Sequence, residues 1–257
     1  MQIDFKQVVD LVKQASVFVN SEELRKSIRV KGEANFVTEI DIKINQFIKA
    51  GLKELTPQIG FFSEEEKGQL TDPCWILDPV DGTTNLVYGY NMSSVSLGLF
   101  MDGEIKFGVV YNPFTDETFT AEKNKGAYLG DKKLSVSSRT VKESIVEFGA
   151  GSTCKENADA NFEIAKYIFK NCLDIRRICS SALDLCFIAD SRIDGYFEKV
   201  LKPWDIAAGS LILTEAGGKI TDYAGGKIQF ADVTSVIASN GVIHGFLEKA
   251  INDIDKA

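Results

Sequence analysis

One histidine, His244, stands in a chain of 257 residues. A Ser-His-Asp triad would have to use it, and a zinc site built on two or three histidines is excluded. Cysteine is sparse as well. Cys74, Cys154, Cys172, Cys179 and Cys186 make an odd number with no CxxC pair, which fits a reducing compartment and predicts a cytoplasmic protein. The seven-residue spacing of Cys172, Cys179 and Cys186 reads as chance plus burial rather than a metal site. No window approaches the roughly 18 apolar residues of a membrane helix. Residues 1–6 show no basic start leading into an apolar core, so no secretion signal is expected. Positive charge is in the minority: 29 Lys and Arg against 37 Asp and Glu leave a formal net charge of −8. That balance argues against a general nucleic-acid binder and leaves phosphate neutralisation to bound cations. With neither histidine clusters nor paired cysteines to use, the chemistry must rest on carboxylates and hydroxyls.

What is present suits a folded globule, 44% hydrophobic and 26% charged. Apolar residues recur at helical spacing over residues 5–19, predicting a first helix. The run Lys31-Gly32-Glu33-Ala34-Asn35 reads as a loop. A second helix is expected to start at a cap on Thr38 or Asp41, to bury Ile44, Phe47, Ile48, Leu52 and Leu55, and to end before Pro57. Two apolar runs flank Asp102-Gly103, a pair that favours the tight primed turn of a β-hairpin. Residues 117–121 and 126–129 extend the meander, so the first half reads as helices followed by an antiparallel sheet. A polar stretch at 135–139 marks a boundary, dividing the chain into 1–137 and 138–257. Beyond it strand and helix patterns alternate, as in α/β organisation. Internal repeats and low-complexity segments are absent.

The chemistry concentrates in Trp75-Ile76-Leu77-Asp78-Pro79-Val80-Asp81-Gly82-Thr83-Thr84-Asn85. A short apolar strand ends at two aspartates three residues apart, followed at once by a glycine turn and hydroxyls. Carboxylates hold hard divalent cations through oxygen, and amides at a turn hold an anion, so one segment offers both halves of a metal-dependent phosphate site. Neighbouring anions at a buried strand end repel unless a cation or a proton offsets the cost. The acids Glu64, Asp41 and Asp205 are ambiguous singly: a solvated loop residue in Ser63-Glu64-Glu65, a helix cap, and another helix cap.

Asp-Pro-Val-Asp-Gly-Thr resembles the first signature of the inositol monophosphatase family, within the lithium-sensitive, magnesium-dependent phosphomonoesterases. Three further segments resemble that family in order and spacing. Asn35-Phe36-Val37-Thr38-Glu39-Ile40-Asp41 does so with Asn35 where the family often has Asp. The others are Ser63-Glu64-Glu65 and Trp204-Asp205-Ile206-Ala207-Ala208-Gly209. Haloacid-dehalogenase-type phosphatases use Asp-x-Asp-Gly-Thr near the N-terminus; the Asp-x-x-Asp spacing here, about 75 residues into the chain, does not fit them.

The resemblance implies an αβαβα sandwich, an α/β (α+β) fold of the inositol monophosphatase and fructose bisphosphatase type. It implies hydrolysis of a phosphate monoester by metal-activated water, with two Mg2+ ions per site and a third, weaker ion near Glu64 in some members. Glu64, Asp78 and the Val80 carbonyl would hold one ion, and Asp78, Asp81 and Asp205 the second. Thr83, bonded to Asp41, would orient the attacking water, with Glu64 in the same catalytic set. Asp81, the Gly82 and Thr83 amides, Ser181, Glu198 and Asp205 would contact substrate, with Arg176 or Arg177 at the pocket's border. Inositol monophosphate or a similar polyol phosphate is the expected substrate, lithium the expected inhibitor and a homodimer the common assembly. Fructose bisphosphatase and adenosine bisphosphate nucleotidase are alternatives on the same fold. An RNA-processing or transcription-associated binding protein is the alternative of another class.

Overall fold

The computed structural model describes residues 3–21, 28–32, 35–66, 68–151, 154–230 and 232–254. Helix α1, Phe5–Ala15, is capped by Asp4, whose carboxylate accepts from the Lys6 amide at 3.1 Å. The helical spacing continues past it as a tighter 3-10 segment, Ser16–Asn20. Strands β1 (Ile28–Gly32) and β2 (Asn35–Thr38) pair antiparallel, so most of the expected loop at 31–35 belongs to a hairpin; Glu33 and Ala34 lie outside the described residues. Helix α2, Glu39–Leu55, begins before Asp41, which therefore sits inside the first turn and does not cap it. The side chain of Thr38, the other cap candidate, lies outside the described residues. Its buried face is Ile40, Ile44, Ile48 and Leu52, whereas Phe47 and Leu55 are 37% and 39% exposed. The expected face was correct at its centre and too wide at its edges, because α1 covers only one stripe of the helix.

Strands β3 (Gly60–Ser63), β4 (Cys74–Asp81), β5 (Ser94–Met101), β6 (Glu104–Asn112), β7 (Glu117–Glu122), β8 (Gly126–Leu129) and β9 (Lys132–Lys133) form one seven-stranded sheet in sequence order. Its pairs are antiparallel except β3 with β4. Between β4 and β5 lies the six-residue helix α3, Thr83–Tyr88. Met101 faces Glu104 across the turn, and Asp102 and Gly103 both have positive φ, the geometry expected of a primed two-residue turn.

The second sheet contains β10 (Ile145–Phe148), β11 (Asp174–Arg176), β12 (Gly195–Leu201), β13 (Lys219–Thr221) and β14 (Thr234–Ser239), ordered β11-β10-β12-β14-β13. It is mixed: β10 runs parallel to β11 and β12, while β14 runs antiparallel to its neighbours. Helices α4 (Ala158–Phe169), α5 (Ser181–Ala189), α6 (Pro203–Glu215) and α7 (His244–Ile254) complete the chain. Three buried clusters define the layers. One joins α1 and α2 to the seven-stranded sheet, one surrounds α5 and α6 between the sheets, and one lies under α4 and α7. The order is helix, sheet, helix, sheet, helix, the αβαβα sandwich. Helix α6 lies close on the first sheet because Gly98 and Gly108 face it; a Cβ at Gly108 would come within 2.8 Å of the Ala208 carbonyl oxygen. No described helix is long and apolar enough to cross a membrane.

Candidate active site

Strand β4 is buried at every position, and its last residues build the centre of the site. Asp78 and Asp81 are three apart, and regular pleating would send them to opposite faces. The ladder to β5 slips here: Asp78 faces Ser96 and Asp81 faces Ser94, so three steps on β4 match two on β5. This bulge restores the parity and turns both carboxylates to one side. Pro79, which cannot donate to the ladder, sits within it. Gly82 follows at φ +85°, where a Cβ would stand 2.9 Å from the Met92 carbonyl oxygen. Only glycine makes this turn without strain.

Three segments deliver the remaining acids. Asp41 comes from the first turn of α2 and is 1% exposed. Glu64 follows β3, its amide bonded to the Leu77 carbonyl at 3.3 Å. Asp205 lies in the first turn of α6 and reaches back to accept from the Lys202 amide at 2.7 Å. Pro203 begins that helix, where its missing N–H costs nothing. Trp204 packs its ring 5.3 Å from Phe62, tying the helix start to β3. The Thr83 hydroxyl lies 3.0 Å from the Val80 carbonyl oxygen and 3.3 Å from Asp41 Oδ1.

These acids act on one another. Burial pushes the Asp78 carboxyl well above the usual carboxylate range, and Glu64, Asp81, Asp205 and Asp41 push it further the same way. Burial raises Asp205 likewise; the Lys202 amide offsets part of this, while Asp81, Glu64 and Glu198 add to it. Asp81 is pushed up to about 6, again by burial, although the Ser180 hydroxyl and the Ala182 and Ser181 amides favour its charged form. As they stand, no three acidic, histidine or cysteine side chains among the described residues are gathered closely enough to ligate one ion. The donor set itself, carboxylates plus the Val80 carbonyl, is all oxygen and fits Mg2+ better than any softer metal.

The other end of the site belongs to the second sheet. Glu198, on β12, accepts from the Tyr196 hydroxyl, from the Gly151 amide at 3.1 Å and from Ser181 Oγ at 3.4 Å. A Cβ at Gly149 would fall 1.9 Å from the Glu198 carboxylate, so that glycine leaves the space it occupies. Of the two border candidates, Arg177 favours the charged form of Glu198, whereas Arg176 turns away to pair with Asp174. Sequence reasoning missed Ser180, whose hydroxyl holds Asp81, and Asn85, whose amide donates to the Met92 carbonyl at 2.7 Å and the Ile178 carbonyl at 2.6 Å. Asn85 joins α3 to the approach to α5; its adjacency to Thr83-Thr84 was the only signal. His244 is buried in α7 between the Thr221 and Ser239 hydroxyls and takes no part.

A buried acidic cluster at a bulged strand end, with a glycine turn beside it, is what the matching family model covers. Residues 4–256 match the model described as "Inositol monophosphatase family". The chain belongs to the inositol monophosphatase family. An "Inositol-1-monophosphatase" from Mesorhizobium japonicum is 38% identical over 229 residues, 87% of this chain and 85% of that protein. A "Nus factor SuhB" from Vibrio cholerae is 36% identical over 214 residues, 82% of this chain and 80% of the other. Among solved structures, an IMPase from Thermotoga maritima superposes with a TM-score of 0.89 at 30% identity, covering 98% of this chain and 97% of its own. Membership in the inositol monophosphatase family supports a phosphatase of this superfamily.

Proposed function

We propose that the protein is a magnesium-dependent phosphatase that hydrolyses inositol monophosphate, or a similar polyol phosphate monoester, by attack of water. One observation carries this reading: four segments bring five acids around the end of β4, and those that shift Asp78 are all of its own sign. Anions are not buried together unless something positive completes them.

Glu64, Asp78, Asp81, Asp205 and the Val80 carbonyl are the groups that would hold magnesium. When bound, the metal would supply Lewis-acid polarisation of the phosphoryl oxygens and a water acidified for attack. The protein's own groups do the rest. Thr83, between Val80 and Asp41, fixes the direction in which its hydroxyl presents a lone pair to a neighbouring water. The Gly82 and Thr83 amides open a turn onto which a phosphate oxygen can settle without meeting a side chain. Glu198 and Ser181 face the leaving group. Each polyol hydroxyl taken from water needs an acceptor, and a carboxylate supplies several lone pairs.

Phosphate release from inositol monophosphate, fructose bisphosphate, adenosine bisphosphate, histidinol phosphate and glycerol phosphate tests this, each with magnesium, with chelator and with lithium. The fastest release is expected on inositol monophosphate, abolished by chelator and reduced by lithium. Faster release from another ester would move the substrate and keep the mechanism; no release from any would refute the reading.

The relatives named Nus factor SuhB favour a second reading, in which the chain serves transcription by binding a partner. The two separate in Asp81→Asn: loss of phosphatase with partner binding intact would support the second.

A further inference from the structure

Strand β10 carries an acid for which neither reading supplies a role. Val146 and Phe148 point outward into the cluster under α4 and α7, so the period of two turns Glu147 inward toward α5. There it meets Asp184 within hydrogen-bonding reach. The two are 3% and 2% exposed. As carboxylates neither can donate, and Glu147 Oε2 and Asp184 Oδ1 are both left buried without a partner. Two buried anions face to face, each with an orphaned oxygen, are not a stable arrangement. A single proton between them removes one charge and satisfies both oxygens. The other titratable groups facing the pair are Asp81 from β4, Glu198 and Tyr196 from β12, Cys186 from α5 and Cys179 from the loop before it. Of the arginines, Arg176 faces Glu147 in the β10–β11 register but pairs with Asp174, Arg177 acts on Cys179 and Glu198, and Arg192 acts on Cys186.

We propose that Glu147 and Asp184 share one proton at neutral pH and act together as positioning residues, clamping β10 to the start of α5 and thereby holding the leaving-group end of the pocket in shape. The elements they join carry its two sides. Two and four residues beyond Glu147 come Gly149, which makes room for Glu198, and Gly151, whose amide holds it. Glu147 faces Tyr196 in the β10–β12 register, and Tyr196 donates to Glu198. One helical turn before Asp184 is Ser181; the Asp184 amide bonds the Ser180 carbonyl at 2.9 Å, and the Ser180 hydroxyl holds Asp81. Displacing α5 from β10 would separate Ser181 from Glu198. Burial, and then the neighbouring Glu147, hold the Asp184 carboxyl well above the usual carboxylate range, so the clamp weakens as pH rises and the proton is lost.

The positioning role rests on the phosphatase reading; the shared proton does not. Difference infrared spectroscopy of magnesium-loaded wild type against Asp184→Asn, in H2O and D2O at pH 7, reads the proton directly. A carboxylic acid carbonyl band that shifts in D2O is expected in wild type and missing from the variant; its absence from wild type overturns the shared proton. Kinetics read the positioning. The amide of Asp184→Asn can still donate to Glu147, so KM for inositol monophosphate should stay within about twofold, while Asp184→Ala raises it about tenfold. On p-nitrophenyl phosphate, which has no hydroxyls to read, Asp184→Ala should match wild type. An Asn variant as impaired as the Ala variant, or an Ala variant impaired equally on both esters, overturns the role. If Asp184→Ala does not fold, Glu147→Gln makes the same test from the other side, with a near-normal KM and no acid band expected. Absence of phosphate release by wild type overturns the positioning role together with the phosphatase reading, and the band still decides the proton.

Discussion

The two ends of the site hold acids in opposite ways. At the strand end of the first sheet, Asp78 is surrounded by acids, and burial and repulsion drive it toward the neutral form. At the second sheet, Glu198 is also raised by burial, but Tyr196, Gly151, Arg177 and Ser181 all favour its charge. The first arrangement is incomplete without a cation; the second is finished within the chain. On the proposed reading, a site that must admit an ion and a phosphate together has reason to leave one end electrostatically open, and to keep rigid the end that would read hydroxyls.

The largest expected effect breaks the open end. Asp81→Asn or Asp205→Asn should cost more turnover than the roughly 10–100-fold typical of residues that merely orient a metal ligand. Metal-free thermal stability should hold or rise, because a repelling charge is gone. Phosphate release and a melting curve on each variant check both halves. The pH dependence of metal-free stability sharpens the contrast. Asp81 has a folded value of about 6 against an ordinary 3.8, so the folded state binds more protons between those limits. Its contribution is therefore fully present below pH 3.8 and lost as pH rises through 6, on the order of 3 kcal/mol. Denaturant midpoints across that window should fall with rising pH in wild type and fall less steeply in Asp81→Asn, where Asp78 and Asp205 remain raised.

Smaller effects belong to the closed end. Gly149→Ala puts a Cβ into the space of the Glu198 carboxylate and should raise KM for inositol monophosphate about tenfold, with p-nitrophenyl phosphate little changed. Tyr196→Phe removes one donor of several and should raise the same KM about fivefold or less, the worth of one hydrogen bond. If Gly149→Ala impaired both esters alike, the division of labour between the ends would be lost.

Much of the open end could be read from residue order alone, because its chemistry depends on local spacing. Asp78, Asp81 and Gly82 announce a strand end and a turn within five residues, although the ladder defect between the two aspartates shows only in the register. The meander was readable for the same reason, through Asp102-Gly103 and the flanking apolar runs. What could not be read depends on layers that meet from distant parts of the chain. Glu147 lies between Val146 and Phe148, where alternation suggests a solvent-facing acid; α5 covers it instead. Phe47 and Leu55 suit the buried stripe of α2, yet the described residues leave them 37% and 39% exposed. Ser180 holds Asp81 across 99 positions of sequence, and nothing local to either marks the contact.

Calorimetric titration of magnesium into the metal-free protein at pH 6, in two buffers of different ionisation enthalpy, tests the central claim most directly. If the cluster is an acidic site waiting for a cation, magnesium should bind and release protons, the release shrinking as pH rises and falling in Asp81→Asn. No binding, or binding without proton release, would contradict it.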